Sequence, residues 1–90
     1  MNELKKYRKL IDDIDGKILF LLKKRFGIVR KIGVVKAAAQ MPVMDKKRLK
    51  ELYRKRMDIA ERYGLPKKLI KKIYKDIVAF SMVQEKKYKG

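Results

Sequence analysis

The 90-residue sequence contains no cysteine, no histidine and no tryptophan. Without cysteine the chain can form no disulfide, and it offers neither a thiolate nucleophile nor a zinc–thiolate site. Without histidine it lacks the usual general base and the commonest metal ligand. Any chemistry that this chain performs therefore has to rely on other side chains.

Long hydrophobic runs are also missing. No uninterrupted apolar segment approaches the roughly 20 residues of a membrane span. The opening residues, MNELKKYRKL, lack the apolar core of a signal peptide. Apolar residues nevertheless make up 47% of the chain, which is enough to fold. We therefore expect a cytoplasmic protein without a membrane segment, with residues 1–90 forming a single domain.

Acidic residues are scarce relative to basic ones. The chain has 27 Lys plus Arg against 10 Asp plus Glu, a formal net charge of +17. Three interpretations are open: a solvated lysine-rich surface, binding of nucleic acid through its phosphates, or attraction of a small anionic ligand. The first fits imperfectly because only four residues are Glu. Composition alone does not choose among the three.

The first part of the chain carries a heptad pattern. Apolar side chains recur at alternating steps of three and four, which is typical of a helix that packs along one seam. One position, Arg25, is charged. We call the ten positions the heptad seam: Leu4, Tyr7, Ile11, Ile14, Ile18, Leu21, Arg25, Ile28, Ile32 and Val35.

The length of this predicted helix indicates a dimer. A helix over residues 4–37 would be about 50 Å long. A compact domain of this size has a radius of gyration of only about 12 Å. The helix would extend beyond any globule that one chain could form, so its seam needs a partner. The economical partner is a second copy of the chain.

Two shorter helices are predicted after a break. Pro42 disfavours helix at the residue before it, and Asp45 suits the N-cap of a second helix over residues 46–62. Gly64 suits a C-cap, and Pro66 suits the first turn of a third helix over residues 66–86. The expected apolar positions of the second helix are Leu49, Leu52, Ile59 and Ala60. The expected buried stripe of the third helix is Leu69, Ile70, Ile73, Ile77 and Phe80. The predicted fold class is all-α, with a long first helix, a short second helix and a third helix of medium length (long-short-medium).

Arg25 and Lys36 share one helix face, because eleven steps of about 100° come within about 20° of three full turns. Both side chains could reach past the apolar surface to water. That explanation is weaker for Arg25, which has seam residues on both sides. A buried guanidinium needs a partner, either a protein carboxylate or a bound carboxylate or phosphate. Nucleic acid fits poorly, because no helix-turn-helix spacing is present and several of the aromatics look like core or interface residues.

Several segments together carry a family resemblance. They read YRKLIDDIDGKILFLLKKRFGIVRKIGVVK, then MPVMDKKR, then AERYGLP and IYKDIVAFSM. This pattern resembles the all-helical chorismate mutases, from Leu4 to Glu85 and without gaps. The resemblance implies an intertwined homodimer of three-helix chains with two equivalent sites. It implies rearrangement of chorismate, a dianion, to prephenate without any cofactor. We further expect no fused partner domain.

The resemblance implies roles for particular residues. Arg25 would clamp a substrate carboxylate from its own chain. Arg8 would reach a carboxylate in the other subunit's site. Lys36 would bind the ether oxygen and a carboxylate. The reaction is unimolecular and pericyclic, so it needs no nucleophile, metal or general base. It needs cations and donors placed where charge develops, and a substrate held in its folded conformer.

At the start of the second helix, the resemblance places Asp45 and Arg48 beside the ring hydroxyl and a carboxylate. The family usually has glutamate after this arginine, where it accepts a hydrogen bond from the substrate hydroxyl. This chain has Leu49 there. Glu51 is about 200° around the helix and cannot simply replace it. Related isochorismate pyruvate lyases can have an apolar residue at this position, so lyase activity is the alternative enzyme. The alternative outside enzymes is a non-catalytic basic helical dimer that binds nucleic acid or acts as a scaffold.

The resemblance places Ser81 of the third helix against the ring carboxylate. Four residues later many members have glutamine, which donates to the ether oxygen. This chain has Glu85 there, preceded by Gln84, and fungal members resemble it in using glutamate. A protonated carboxylic acid can donate such a bond, whereas a carboxylate would repel the oxygen. We favour Glu85 over Gln84, because using Gln84 would rotate Ser81 out of place.

Overall fold

Three α-helices make up the computed structural model, which describes residues 2–89 with the side chains of residues 2–87. They are α1 (Asn2–Ala38), α2 (Lys46–Arg62) and α3 (Lys67–Lys89). No strand occurs within the described residues. The predicted all-α, long-short-medium architecture is confirmed. The bounds of α2 agree with the prediction, whereas α1 starts two residues earlier and α3 ends three residues later than expected.

Side chains and backbone close the ends of α2 as the sequence predicts. The carboxylate of Asp45 accepts a hydrogen bond of 3.0 Å from the Arg48 N–H, which caps the first turn. At the other end Gly64 has φ +65°. Its neighbour Leu65 donates to the Ala60 carbonyl at 2.8 Å, while Gly64 donates to Glu61 at 3.2 Å. These two bonds form the Schellman motif, in which glycine is the favoured residue at positive φ.

The end of α1 uses the same motif without glycine. Gln40 has φ +54°. Gln40 donates to the Ala37 carbonyl at 3.2 Å, and Met41 donates to the Lys36 carbonyl at 2.8 Å. Pro42 follows and prevents the helix from continuing. A residue other than glycine at this position has some backbone strain, because the left-handed region is crowded for residues with a Cβ.

Helix α3 lies between the other two helices and packs against both. The core is small and runs along the C-terminal half of α1. Phe26 of α1 meets Phe80 of α3 edge to face, with ring centroids 5.0 Å apart. The buried residues are Val29, Gly33, Leu52, Ala60, Val78, Ser81 and Glu85.

The predicted buried stripe of α3 is largely wrong. Leu69, Ile73 and Phe80 are 50%, 42% and 51% exposed, and Ile70 and Ile77 are half-buried. The buried face of α3 is instead the one that carries polar residues opposite α1 and α2. Leu69 and Ile73 are left exposed by the packing of the three helices, whereas Phe80 is half exposed although its ring contacts Phe26 of α1.

The heptad seam is uncovered in the single chain. All nine of its apolar side chains are exposed, from 41% for Leu4 to 62% for Val35. The chain measures 57 × 25 × 15 Å, and its radius of gyration of 16.6 Å exceeds the roughly 12 Å of a compact domain. The long first helix therefore projects beyond the small core, as its length predicts. No helix in the described residues is long and apolar enough to cross a membrane.

Candidate active site

A cleft lies where the C-terminal half of α1, the loop after it, the start of α2 and the end of α3 meet. It encloses about 140 Å³. Most of its lining residues are apolar, and its polar side chains come from all three helices and from the residue before α2. The polar lining residues are Arg25, Lys36, Asp45, Arg48, Ser81 and Glu85. The apolar lining residues are Val29, Ile32, Val43, Met44, Leu49, Leu52, Val78 and Met82.

Arg25 is directed into this cleft and not toward bulk water. Its guanidinium donates a hydrogen bond of 2.6 Å to the Ser81 hydroxyl. Ser81 in turn donates to the Ile77 carbonyl at 2.8 Å, one turn earlier on α3. No carboxylate in the described chain lies within ion-pairing distance of Arg25. The guanidinium is therefore fixed in direction but retains donors for an anion.

Burial lowers the pKa of the Arg25 guanidinium. The phenol of Tyr74 and, to a smaller extent, the carboxylate of Glu85 oppose this lowering of the pKa. The charges of Arg56 and Arg48 add to it. The first cause is desolvation of the charged form, and the repulsion comes from neighbouring cations. A bound carboxylate would counter both effects, since it offers opposite charge and hydrogen-bond acceptors.

Lys36 is also turned inward, with a side chain that is 18% exposed. Its ammonium lies 2.7 Å from Oε1 of Glu85 and donates to the Val43 carbonyl at 2.8 Å. Glu85 is 8% exposed. The contact with Oε1 is an ion pair by distance, but its angles do not meet those of a directed hydrogen bond. This carboxylate oxygen is thus paired by charge and left without a well-aligned donor.

The start of α2 brings two further predicted residues into the cleft. Asp45 and Arg48 both line it, although the Asp45 carboxylate also caps the helix. Leu49 lines it as well, so the position that usually carries glutamate presents an apolar surface here. Glu51 is exposed and lies 3.0 Å from Lys55, and it does not line the cleft.

Two predicted residues lie outside the cleft of the same chain. Gln84 is half-buried but does not line it, whereas its neighbour Glu85 does. Arg8 lies seventeen residues before Arg25 on the same continuous helix, about 25 Å away along the axis. Arg8 therefore cannot reach the cleft of its own chain.

The sequence did not reveal every part of this site. The Val43 carbonyl, which fixes Lys36, is a backbone group and leaves no mark in the side-chain pattern. The apolar walls from Val29, Val78 and Met82 look like ordinary core positions in sequence. The repulsion on Arg25 from Arg56 was also missed, although an arginine at an apolar position of α2 was a visible signal.

Comparison of the sequence with known proteins relates the chain to one enzyme family. The family model for chorismate mutase type II matches residues 7–86. A bifunctional chorismate mutase/prephenate dehydratase of Aquifex aeolicus is 37% identical over 92 aligned residues, which cover 99% of this chain and 25% of that protein. A chorismate mutase of Methanocaldococcus jannaschii is 25% identical over 88 residues, covering 98% of this chain and 89% of that protein. The chain thus spans about a quarter of the bifunctional relative.

Proposed function

Because the chain belongs to the chorismate mutase type II family, we propose that it converts chorismate to prephenate in the cleft beside Arg25 and Lys36. The observation that carries this proposal is the inward direction of both cations on one face of α1, opposite Ser81 and Glu85 of α3. An aligned set of donors in a half-enclosed apolar cleft suits a small dianion.

The rearrangement requires placement and charge more than it requires bond-making side chains. Arg25 holds one substrate carboxylate, and Ser81, which already shares a hydrogen bond with Arg25, contacts the ring carboxylate. Asp45 and Arg48 flank the ring from the start of α2. Holding both carboxylates in this way favours the folded conformer in which the two reacting carbons meet.

Lys36 and Glu85 act on the ether oxygen. As the C–O bond breaks, negative charge develops on this oxygen, and a fixed ammonium stabilises it. Glu85 can help only when it is protonated, since an acid donates a hydrogen bond and a carboxylate repels the oxygen. The ion pair in the unliganded protein is therefore exchanged on binding, with Lys36 turning from the carboxylate to the substrate.

A second copy of the chain completes each site. The cleft has three cations, of which one is paired with Glu85, so one chain offers little surplus charge for a dianion. Arg8, which cannot reach its own cleft, adds a cation to the cleft of the other subunit. The exposed apolar side chains of the heptad seam support this dimer, because burial of such a surface is strongly favourable. A cytoplasmic location remains a prediction from the sequence.

One observation favours a second candidate activity. Leu49 offers no acceptor for the hydroxyl of chorismate, and it lines the cleft. An isochorismate pyruvate lyase on the same fold is the alternative that an apolar residue at this position favours.

Incubation of the purified protein with chorismate and, separately, with isochorismate distinguishes the two activities. We expect prephenate from chorismate and no product from isochorismate. Salicylate and pyruvate from isochorismate, without prephenate from chorismate, would establish the lyase instead. A lack of product from either substrate would contradict both.

A further inference from the structure

Arg56 is a second arginine at an apolar position of a helix. The inward positions of α2 recur at steps of three and four and carry Leu49, Leu52, Arg56 and Ile59. Leu52 is buried, and the other three are half-buried. A guanidinium in this environment loses part of its hydration and needs a compensating contact. The roles of the cleft residues do not explain why an arginine lies at this position.

The contact that Arg56 makes is with the ring of Tyr74 on α3. The guanidinium carbon lies 5.3 Å from the ring centroid, within the distance at which a cation is attracted to an aromatic face. Among the described side chains, no carboxylate lies within ion-pairing distance of Arg56. Arg54, two residues earlier, lies 3.6 Å from Asp58. Arg56 is thus held in place with its charge uncompensated.

The charges of this pair act on Arg25, and helix spacing places the pair two turns from residues that line the cleft. Tyr74 is seven residues before Ser81, within about 20° of two full turns, so both lie on one face of α3. The same spacing separates Arg56 from Leu49, which lines the cleft. The charge of Arg56 also contributes to the lowered pKa of Arg25, after burial and the opposing effect of Tyr74. Arg56 itself does not line the cleft.

We propose that Arg56, held on the ring of Tyr74, is a positioning residue that strengthens the binding of a dicarboxylate through Arg25. In the free protein the charges of Arg56 and Arg48 act unfavourably on that of Arg25, and a bound carboxylate relieves this repulsion. Because Arg56 does not line the cleft, it favours the bound substrate and the transition state equally. Such uniform binding changes KM and leaves kcat unchanged. This inference rests on the proposed function.

The test replaces Arg56 by methionine and uses Arg54→Met as the matched control. Both substitutions remove one positive charge from α2, but Arg54 is exposed and paired with Asp58. We expect Arg56→Met to raise KM for chorismate about 5- to 10-fold with kcat within about twofold. Without substrate, the variant should unfold at the same or a higher temperature, because a repulsive charge has been removed. Arg54→Met should change KM by less than about twofold.

Two further variants separate charge from packing. Arg56→Lys retains the charge, so its KM should lie closer to that of the unmodified protein than to that of Arg56→Met. Tyr74→Leu removes the ring that holds Arg56 and should raise KM in the same direction. Equal KM changes in Arg56→Met and Arg54→Met would overturn the inference in favour of a general charge effect. A joint loss of kcat and thermal stability in Arg56→Met would overturn it in favour of a packing role.

A binding experiment keeps this inference separate from the proposed activity. If the unmodified protein does not turn over chorismate, the proposed function fails, and malonate serves as a dicarboxylate probe. We then expect malonate to raise the unfolding temperature of the unmodified protein more than that of Arg56→Met. Equal shifts in the two proteins would overturn the role of Arg56.

Discussion

Lys36 of α1 lies 2.7 Å from the Glu85 carboxylate of α3, and this ion pair occupies the cleft of the unliganded protein. The same lysine donates to the Val43 carbonyl, so it joins the loop between α1 and α2 to both α1 and α3. A substrate that needs Lys36 has to compete with Glu85. The pair therefore links the affinity of the site to the contact between Lys36 and Glu85.

Replacing Glu85 by glutamine tests this link. An amide donates a hydrogen bond at every pH, whereas the carboxyl donates only when it is protonated. We therefore expect kcat/KM of the unmodified protein to fall as pH rises, while that of Glu85→Gln stays level. The activity of the variant relative to the unmodified protein should therefore increase with pH.

The control for this substitution is Gln84→Ala, which alters the neighbouring residue outside the cleft and should matter little. The measurement is kcat/KM for chorismate across the pH range in which the protein stays folded. A level profile for the unmodified protein, together with a large loss in Gln84→Ala, would show that Gln84 is the donor.

Arg8 and Lys36 permit a test of the shared site. Arg8→Ala and Lys36→Ala should each lose nearly all activity. If Arg8 serves the other subunit's cleft, a mixed dimer has one site with both lesions and one intact site. Mixing the two inactive variants under subunit-exchanging conditions should then restore part of the activity. Confirmed heterodimers without any recovery would place the action of Arg8 within its own chain.

The heptad seam can be tested without any substrate. Ile18 is 51% exposed in the single chain, so a charge there costs little unless a second chain covers it. We expect Ile18→Asp to convert a dimer into monomers in sedimentation equilibrium at micromolar concentration, because a carboxylate buried in an apolar interface is strongly unfavourable. Lys23→Asp, on another face of α1, is the control and should leave the dimer intact. Monomers in the unmodified protein would contradict the dimer.

A substitution at Leu49 is expected to increase activity instead of reducing it. If the substrate hydroxyl lies beside this residue, Leu49→Glu should add an acceptor and raise kcat/KM for chorismate several-fold. Leu49→Met retains an apolar surface of similar volume and serves as the control. A larger loss of activity in Leu49→Glu than in Leu49→Met would place the hydroxyl elsewhere in the cleft.

The sequence predicted features that depend on short-range rules and on one long pattern. The Asp45 cap and the Gly64 turn follow from local backbone chemistry, and the uncovered first helix follows from its length. The buried face of α3 was predicted wrongly, because hydrophobicity does not distinguish a stripe that packs within the chain from one left exposed. Gln40 was also missed, since nothing in its side chain signals a positive φ.

The candidate site was predicted only in part, because some of its features depend on local patterns and others on long-range contacts. Arg25 was visible because a charge interrupts an apolar pattern, and its direction toward Ser81 agrees with an inward role. The Lys36–Glu85 ion pair joins residues far apart in sequence, so no local pattern reveals it. The roles of individual residues in the reaction remain predictions.

The central claim is that the cleft beside Arg25 rearranges chorismate. The most direct measurement follows the conversion of chorismate to prephenate by the unmodified protein, Arg25→Ala and the control Arg30→Ala, which removes an exposed arginine of the same helix. We expect prephenate from the unmodified protein and from Arg30→Ala, and a loss of at least about 100-fold in kcat/KM for Arg25→Ala. Arg25→Ala should retain the thermal stability of the unliganded protein, because it removes a partly buried cation. Near-normal turnover by folded Arg25→Ala, or no prephenate from the unmodified protein, would contradict this account.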